Sequence, residues 1–223
     1  TDIWGKRYSA MIISAPDSAD LLQAASWSVT DSLPYDSTYL DGKFGAWLEG
    51  NAVVTPDGNV ADLLRVDYAP GPEYAALIRL CDSVSFDPFD PEKDFVRMPG
   101  GAKKFTVRYD SLSGRYWSLV NYVTQEWAGK QNPAWVRNTL ALSSSPNLQE
   151  WTVHRTVLHH PDIAKHGFQY ADWLFDGNDI VLLSRTAYDD NGTGAHNCHD
   201  ANYMTFHRIK DFRKALTEQA GNR

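Results

Sequence analysis

An all-β chain, specifically a β-propeller of four-stranded antiparallel blades, is the fold class this sequence predicts, on three observations. Apolar residues recur with a period of two, as where Phe105, Val107 and Tyr109 share one face of a strand. Asp, Asn and Gly cluster between the alternating stretches in the combinations that make tight turns, as in Pro56-Asp57-Gly58-Asn59 and Asp176-Gly177-Asn178-Asp179. Helical periodicity is nearly absent between them, which argues for meanders. A blade takes roughly 40 to 50 residues, so the 223 residues supply about four to five blades, read as a single domain over residues 1–223. A β-sandwich is the structural alternative.

Along the chain, Asp17, Ser18 and Asp20 offer caps for a short helix ending near Trp27, the one respectable helix signal of the first half. A first hairpin runs from Ala52 to Val54, turns at Asp57-Gly58 and returns from Val60 to Val66. A second runs from Lys104 to Tyr109, turns over Asp110 to Gly114 and returns from Tyr116 to Val123. A third joins Asp172–Phe175 to Ile180–Ser184, and Tyr203 to Ile209 alternates once more.

Composition removes several classes of function. The net charge of -7 disfavours a nucleic-acid partner, because binding phosphates needs a basic face. No apolar run approaches the length of a membrane span, and no Gly-rich phosphate loop or dinucleotide fingerprint implies an organic cofactor. Cys81 and Cys198 are the only cysteines, too few for a zinc site of four thiolates. His196, Cys198 and His199 are metal-ligand types, yet their spacing fits no metal template, so no metal is expected. His159-His160 reads as exposed loop, and Asp87, Asp90, Glu92 and Asp94 read as a solvated stretch.

The chemistry is concentrated elsewhere. Glu49 opens a strand whose partner ends at Arg65, so one hairpin brings a carboxylate and a guanidinium to the same end of a sheet. Further on, Arg137 leads the strand Thr139–Leu142 into Ser143-Ser144-Ser145-Pro146-Asn147-Leu148-Gln149-Glu150-Trp151, and Phe168-Gln169-Tyr170-Ala171-Asp172 opens another strand. Taken singly, Glu49 and Arg65 read as a turn contact and a surface ion pair, and Tyr170 beside Trp173 as core. In order and spacing, however, Glu49, Arg65, Arg137 and Tyr170 resemble the sialidase superfamily of glycoside hydrolases over residues 45–210. The stretch from Ser143 to Trp151 is similar to a degenerate Asp-box, with Asn147 where the family has Asp.

The resemblance implies a six-bladed propeller when complete, and an exo-acting hydrolase of a terminal acidic sugar. It makes Tyr170 the nucleophile, Glu49 its base, and Arg65 and Arg137 the ligands of the sugar carboxylate. A phenol suits that task because an anionic nucleophile would be repelled by the substrate's own carboxylate. Asn51, Asp172, His199 and Asn202 are expected to contact substrate. A secreted or periplasmic location is implied by the family alone. Two departures stand out. The family's early Arg and acid/base Asp have no counterpart before Glu49, since Asp2, Asp17 and Asp20 lie in unsuitable surroundings. The chain is therefore expected to lack N-terminal blades as the C-terminal part of a longer protein. The polar tail from Ser184 to Tyr203 also differs from the family and points to another sugar. A non-catalytic glycan-binding or structural propeller is the competing expectation.

Overall fold

The computed structural model describes residues 4–68 and 71–218, so Asp2 lies outside the described residues. Its described strands form four antiparallel sheets that follow one another along the chain. A two-stranded ribbon pairs β1 (Ile13–Ser14) with β2 (Ser28–Val29). The first large sheet contains β3 (Ala46–Trp47), β4 (Ala52–Val54), β5 (Val60–Asp67), β6 (Tyr74–Arg79) and β7 (Phe95–Arg97), in the order β3-β5-β6-β7 with β4 also on β5. The second is a four-stranded meander of β8 (Val107–Asp110), β9 (Arg115–Asn121), β10 (Thr139–Ser145) and β11 (Thr152–His159). The third joins β12 (Gly167–Asp176), β13 (Asp179–Ala187) and β14 (Tyr203–Ile209).

Successive meanders packed face to face are the blade arrangement of a propeller, and the core shows the stacking. On β9, Tyr116 and Val120 face the first sheet, packing with Leu63, Leu77 and Val96. Trp117 and Leu119, on the other face of β9, pack with Trp173, Ile180 and Leu182 of the third sheet. The outer face of the first sheet, with Trp47, Leu64 and Val66, is covered by aromatic residues including Tyr35, Tyr39 and Phe44. Three of the four sheets are of blade size, because much of residues 4–45 is loop.

All three hairpins form where the turn residues place them. At the first turn Gly58 adopts φ +86°, a conformation that a side chain would strain. At the second, the Asp110 carboxylate accepts from Ser113 N at 3.0 Å and from the Arg213 guanidinium at 2.6 and 2.7 Å. The helix expected before Trp27 is instead a single 3₁₀ turn, Ala24–Ser26. None of its residues is buried, so Asp20 folds the segment as a loop, accepting from Leu22 N at 3.0 Å and, through its carbonyl, from Ser26 Oγ at 2.7 Å. Among the described residues, no helix is long and apolar enough to cross a membrane.

Candidate active site

Glu49 and Arg65 face each other across the β3–β5 edge, where Arg65 N donates to Glu49 O at 2.9 Å. Their side chains meet as the hairpin predicts, with Arg65 Nη1 3.1 and 3.3 Å from the two carboxylate oxygens. Arg65 Nε donates to Ala102 O at 2.9 Å, which holds the guanidinium against the segment leading to the second sheet. The neighbouring Lys103 has no exposed surface. Its ammonium is bound by the Glu73 carboxylate and by Pro133 O at 2.9 Å. Burial pushes the Lys103 pKa down, Glu73 opposes this, and Arg137 and Arg65 add to it. The three cations therefore share one neighbourhood.

Arg137 leaves a 3₁₀ turn, Pro133–Trp135, and is 4% exposed. Its Nε donates to Ala134 O at 2.9 Å and its Nη1 to Gln169 Oε1 at 2.7 Å. Burial lowers its pKa, as do Arg65 and Arg185, while Tyr170 and Cys198 raise it. Gln169 is clamped in turn, its amide donating to Cys198 O at 2.9 Å and His199 O at 2.7 Å. A fixed amide oxygen and a fixed carbonyl thus aim the guanidinium, the planar group suited to a carboxylate.

Tyr170 sits where β12 breaks register with β13 between Gln169 and Asp172, with φ +50°. A β-bulge of this kind re-aims a side chain out of the alternating pattern, and a positive φ at a bulky residue is a strained conformation that the surroundings must enforce. The ring lies between cations, with Arg185 Cζ 4.8 Å and Arg137 Cζ 6.0 Å from its centroid. His199 approaches it edge-on at 6.4 Å. Arg185 also donates to His199 O.

Of the expected residues, Arg137, Tyr170 and His199 come together, Arg65 lies near enough to lower the Arg137 pKa, and Glu49 is held by Arg65. The other three are occupied by the scaffold. Asn51 exchanges two hydrogen bonds with the Val107 backbone, at 3.0 and 3.1 Å, and ties the first sheet to the second. Asp172 is exposed, accepts from Trp173 N at 3.0 Å and pairs with Arg108 at 3.3 Å. Asn202 clasps the Tyr188 backbone at 3.0 and 2.9 Å. Lys103, Gln169 and Arg185 were not singled out from the sequence. Arg185 had a signal, because the register set by the Asp176–Asp179 turn, extended back past Asp172, brings it level with Tyr170, and the bulge then shifts it onto Gln169. Lys103 and Gln169 had none, because each acts through loop carbonyls that only the folded chain brings near.

No protein-family model matches the sequence, and no curated protein matches it. Among solved structures, the chain is similar to an α-L-arabinofuranosidase from Fusarium graminearum in complex with an iminosugar inhibitor, at 9% identity and a TM-score of 0.47, over 93% of this chain and 51% of that one. It is also similar to an α-L-arabinanase from Penicillium chrysogenum complexed with arabinobiose, at 11% identity and a TM-score of 0.49, over 79% and 49%. An intramolecular trans-sialidase from Ruminococcus gnavus shows 17% identity and a TM-score of 0.45, over 84% and 36%. The chain spans about half or less of the length of these structures.

Proposed function

We propose that this chain carries part of the active site of an exo-acting, retaining glycoside hydrolase of sialidase type, acting on a terminal acidic sugar. Arg65 and Arg137 hold the sugar carboxylate, the Tyr170 hydroxyl attacks the anomeric carbon, and Glu49 takes the phenol proton. The bond to the leaving oxygen breaks as that oxygen takes a proton from water, leaving an aryl glycoside on Tyr170; a second water, its proton taken up by solvent, then attacks the anomeric carbon with retention while Glu49 returns its proton to the departing phenol. Among the described residues we assign no acid to the leaving group. The observation that carries the reading is the lodging of a bulged Tyr170 against two guanidinium groups, at 4.8 and 6.0 Å, one of them buried and held by Gln169. A core tyrosine needs no such company, whereas developing negative charge on a phenol oxygen does.

The test is release from a fluorogenic sialoside and from other acidic glycosides. Tyr170→Phe is expected to lower the rate by about 10²–10⁴-fold, with folding checked by circular dichroism. A fluorinated, slowly turned-over glycoside should label the Tyr170 peptide in a mass spectrum. A wild-type rate that Tyr170→Phe leaves intact sinks the assignment.

A second reading, a glycan-binding propeller without turnover, is favoured by the Glu49 carboxylate, both of whose oxygens lie on Arg65. It expects the glycoside to bind without release, and binding to be lost in Arg137→Met.

A further inference from the structure

The loop between β11 and β12 and the loop after β13 meet in a cluster that the site above does not use. His166 is 4% exposed, and its Nδ1 lies 3.0 Å from Asp162 Oδ2. A carboxylate on Nδ1 places the imidazole proton there and leaves the Nε2 lone pair bare. That Nε2 is buried, has no hydrogen-bond partner, and faces Asp189 Oδ1 at 3.4 Å. His160 stacks on the same ring, with centroids 3.5 Å apart. Ligand atoms of His160, His166 and Asp189 all lie within 4.8 Å of one another. Two acceptors that face each other without a proton between them repel, and a cation placed between them turns repulsion into two bonds.

We propose that His166, Asp189 and His160 form a binding site for one divalent transition-metal ion of the zinc class, which ties the loop before β12 to the loop after β13. Imidazole nitrogen and carboxylate oxygen are donors that zinc accepts, and three protein ligands leave a fourth place for water. The scaffold is in place. The Asn202 amide clasps Tyr188 on both sides of its peptide, and Ala195 N donates to Tyr188 O at 3.1 Å, which fixes the backbone that carries Asp189. The Tyr188 ring stands edge-on to both imidazoles at 5.4 and 5.0 Å. The Asp189 side chain is 75% exposed and free to close on an ion from solvent. His160 is the weakest ligand of the three. Its Nδ1 accepts from Asp162 N at 3.1 Å and its ring is nearly parallel to His166, so it must turn to converge on the ion.

Calorimetric titration of the whole chain, stripped with a chelator, with zinc chloride tests the proposal. One equivalent is expected to bind, weakened at least about tenfold in His166→Ala and Asp189→Asn and less in His160→Ala. Because Asp189 is exposed, Asp189→Asn keeps the fold, and a thermal melt without metal verifies that. Failure of the wild type to take up zinc overturns the proposal, as does unchanged affinity in Asp189→Asn. Uptake abolished by His196→Ala instead would assign the ion to the neighbouring His196–Asp200 pair and also overturn it.

Discussion

Lys103 and Asp62 are both buried ionisable groups, with 0% and 4% of their surface exposed, and their surroundings differ sharply. The Lys103 ammonium has a carboxylate and a carbonyl as partners, and Glu73 is fixed as well by Gly100 N at 2.9 Å and Ala102 N at 3.4 Å. Asp62 Oδ1 has no hydrogen-bond partner. Gly50 lies so close over its carboxylate that a Cβ there would stand 2.5 Å from Oδ2. The difference follows the alternation of β5. Asp62, Leu64 and Val66 share one face of the strand, and Arg65 lies on the other with Ala61 and Leu63. Leu64 and Val66 pack into an aromatic cluster that offers no counter-ion. Buried charge is matched where it supports the arginines and unmatched on the opposite face. The matched pair is thus expected to matter most when it is broken, and the unmatched group to matter through pH.

Removing one member of the matched pair gives the largest effect. Glu73→Gln leaves a buried ammonium without its counter-charge, and about 3–5 kcal/mol of stability is expected to go with it. Lys103→Met combined with Glu73→Leu is expected to recover most of that loss, because it removes both desolvation penalties. Urea denaturation of the three proteins measures this. A loss in Glu73→Gln below about 1 kcal/mol would mean that Lys103 is solvated by other means and would erase the contrast with Asp62.

Burial raises the Asp62 pKa from 3.8 to about 6. The sign follows from the raised value. The protonated carboxyl is tolerated in both states below pH 3.8, and stability is lost as pH rises through about 6, where the native state must hold a bare charge. The full loss is about 3 kcal/mol. Asp62→Asn abolishes the titration, so its stability relative to wild type is expected to improve by about 3 kcal/mol between pH 4 and pH 8. Any fixed cost of the amide cancels in that difference. Equal pH dependence in the two proteins would show that water reaches Asp62 and that the group is not truly buried.

The same physical division explains what could be read from the sequence. The hairpins were legible because local rules set them, with Asp57-Gly58 and Asp110–Gly114 supplying turns between alternating strands. The Glu49–Arg65 pair was legible because one hairpin fixes its register. The short helix expected before Trp27 does not form, because the Asp and Ser caps come without the buried face that makes a helix stable. Asn51, Asp172 and Asn202 lie close in sequence to Glu49, Tyr170 and His199, yet their side chains bond to backbone or to Arg108. The clamps of Lys103 and Gln169, and the pairing of His166 with Asp189, depend on loops that meet only in the folded chain. Periodicity carries no signal for such contacts.

The smallest expected effect lies in the turn from Ser145 to Trp151, where Asn147 holds the acceptor position. Asn147 Oδ1 accepts from Gln149 N at 3.0 Å and Glu150 N at 2.9 Å, Leu148 takes φ +66°, and Trp151 Nε1 donates to Leu148 O at 2.9 Å. The amide oxygen therefore already does the acceptor work of a carboxylate, and Asn147→Asp changes charge with little change of shape. A carboxylate accepts the same two amides more strongly, so a gain of about 0.5–1 kcal/mol is expected at neutral pH. Hydrogen bonds to the charged form depress the folded pKa of the new carboxyl. The gain is therefore present above an unfolded pKa of about 4 and disappears as pH falls through the lower folded value. Thermal melts at pH 7 and pH 3 check this, and a variant no more stable than wild type at pH 7 would show that the neutral turn is already saturated. That outcome would sharpen the contrast drawn from Lys103 and Asp62, because it would confine the benefit of matched charge to the interior.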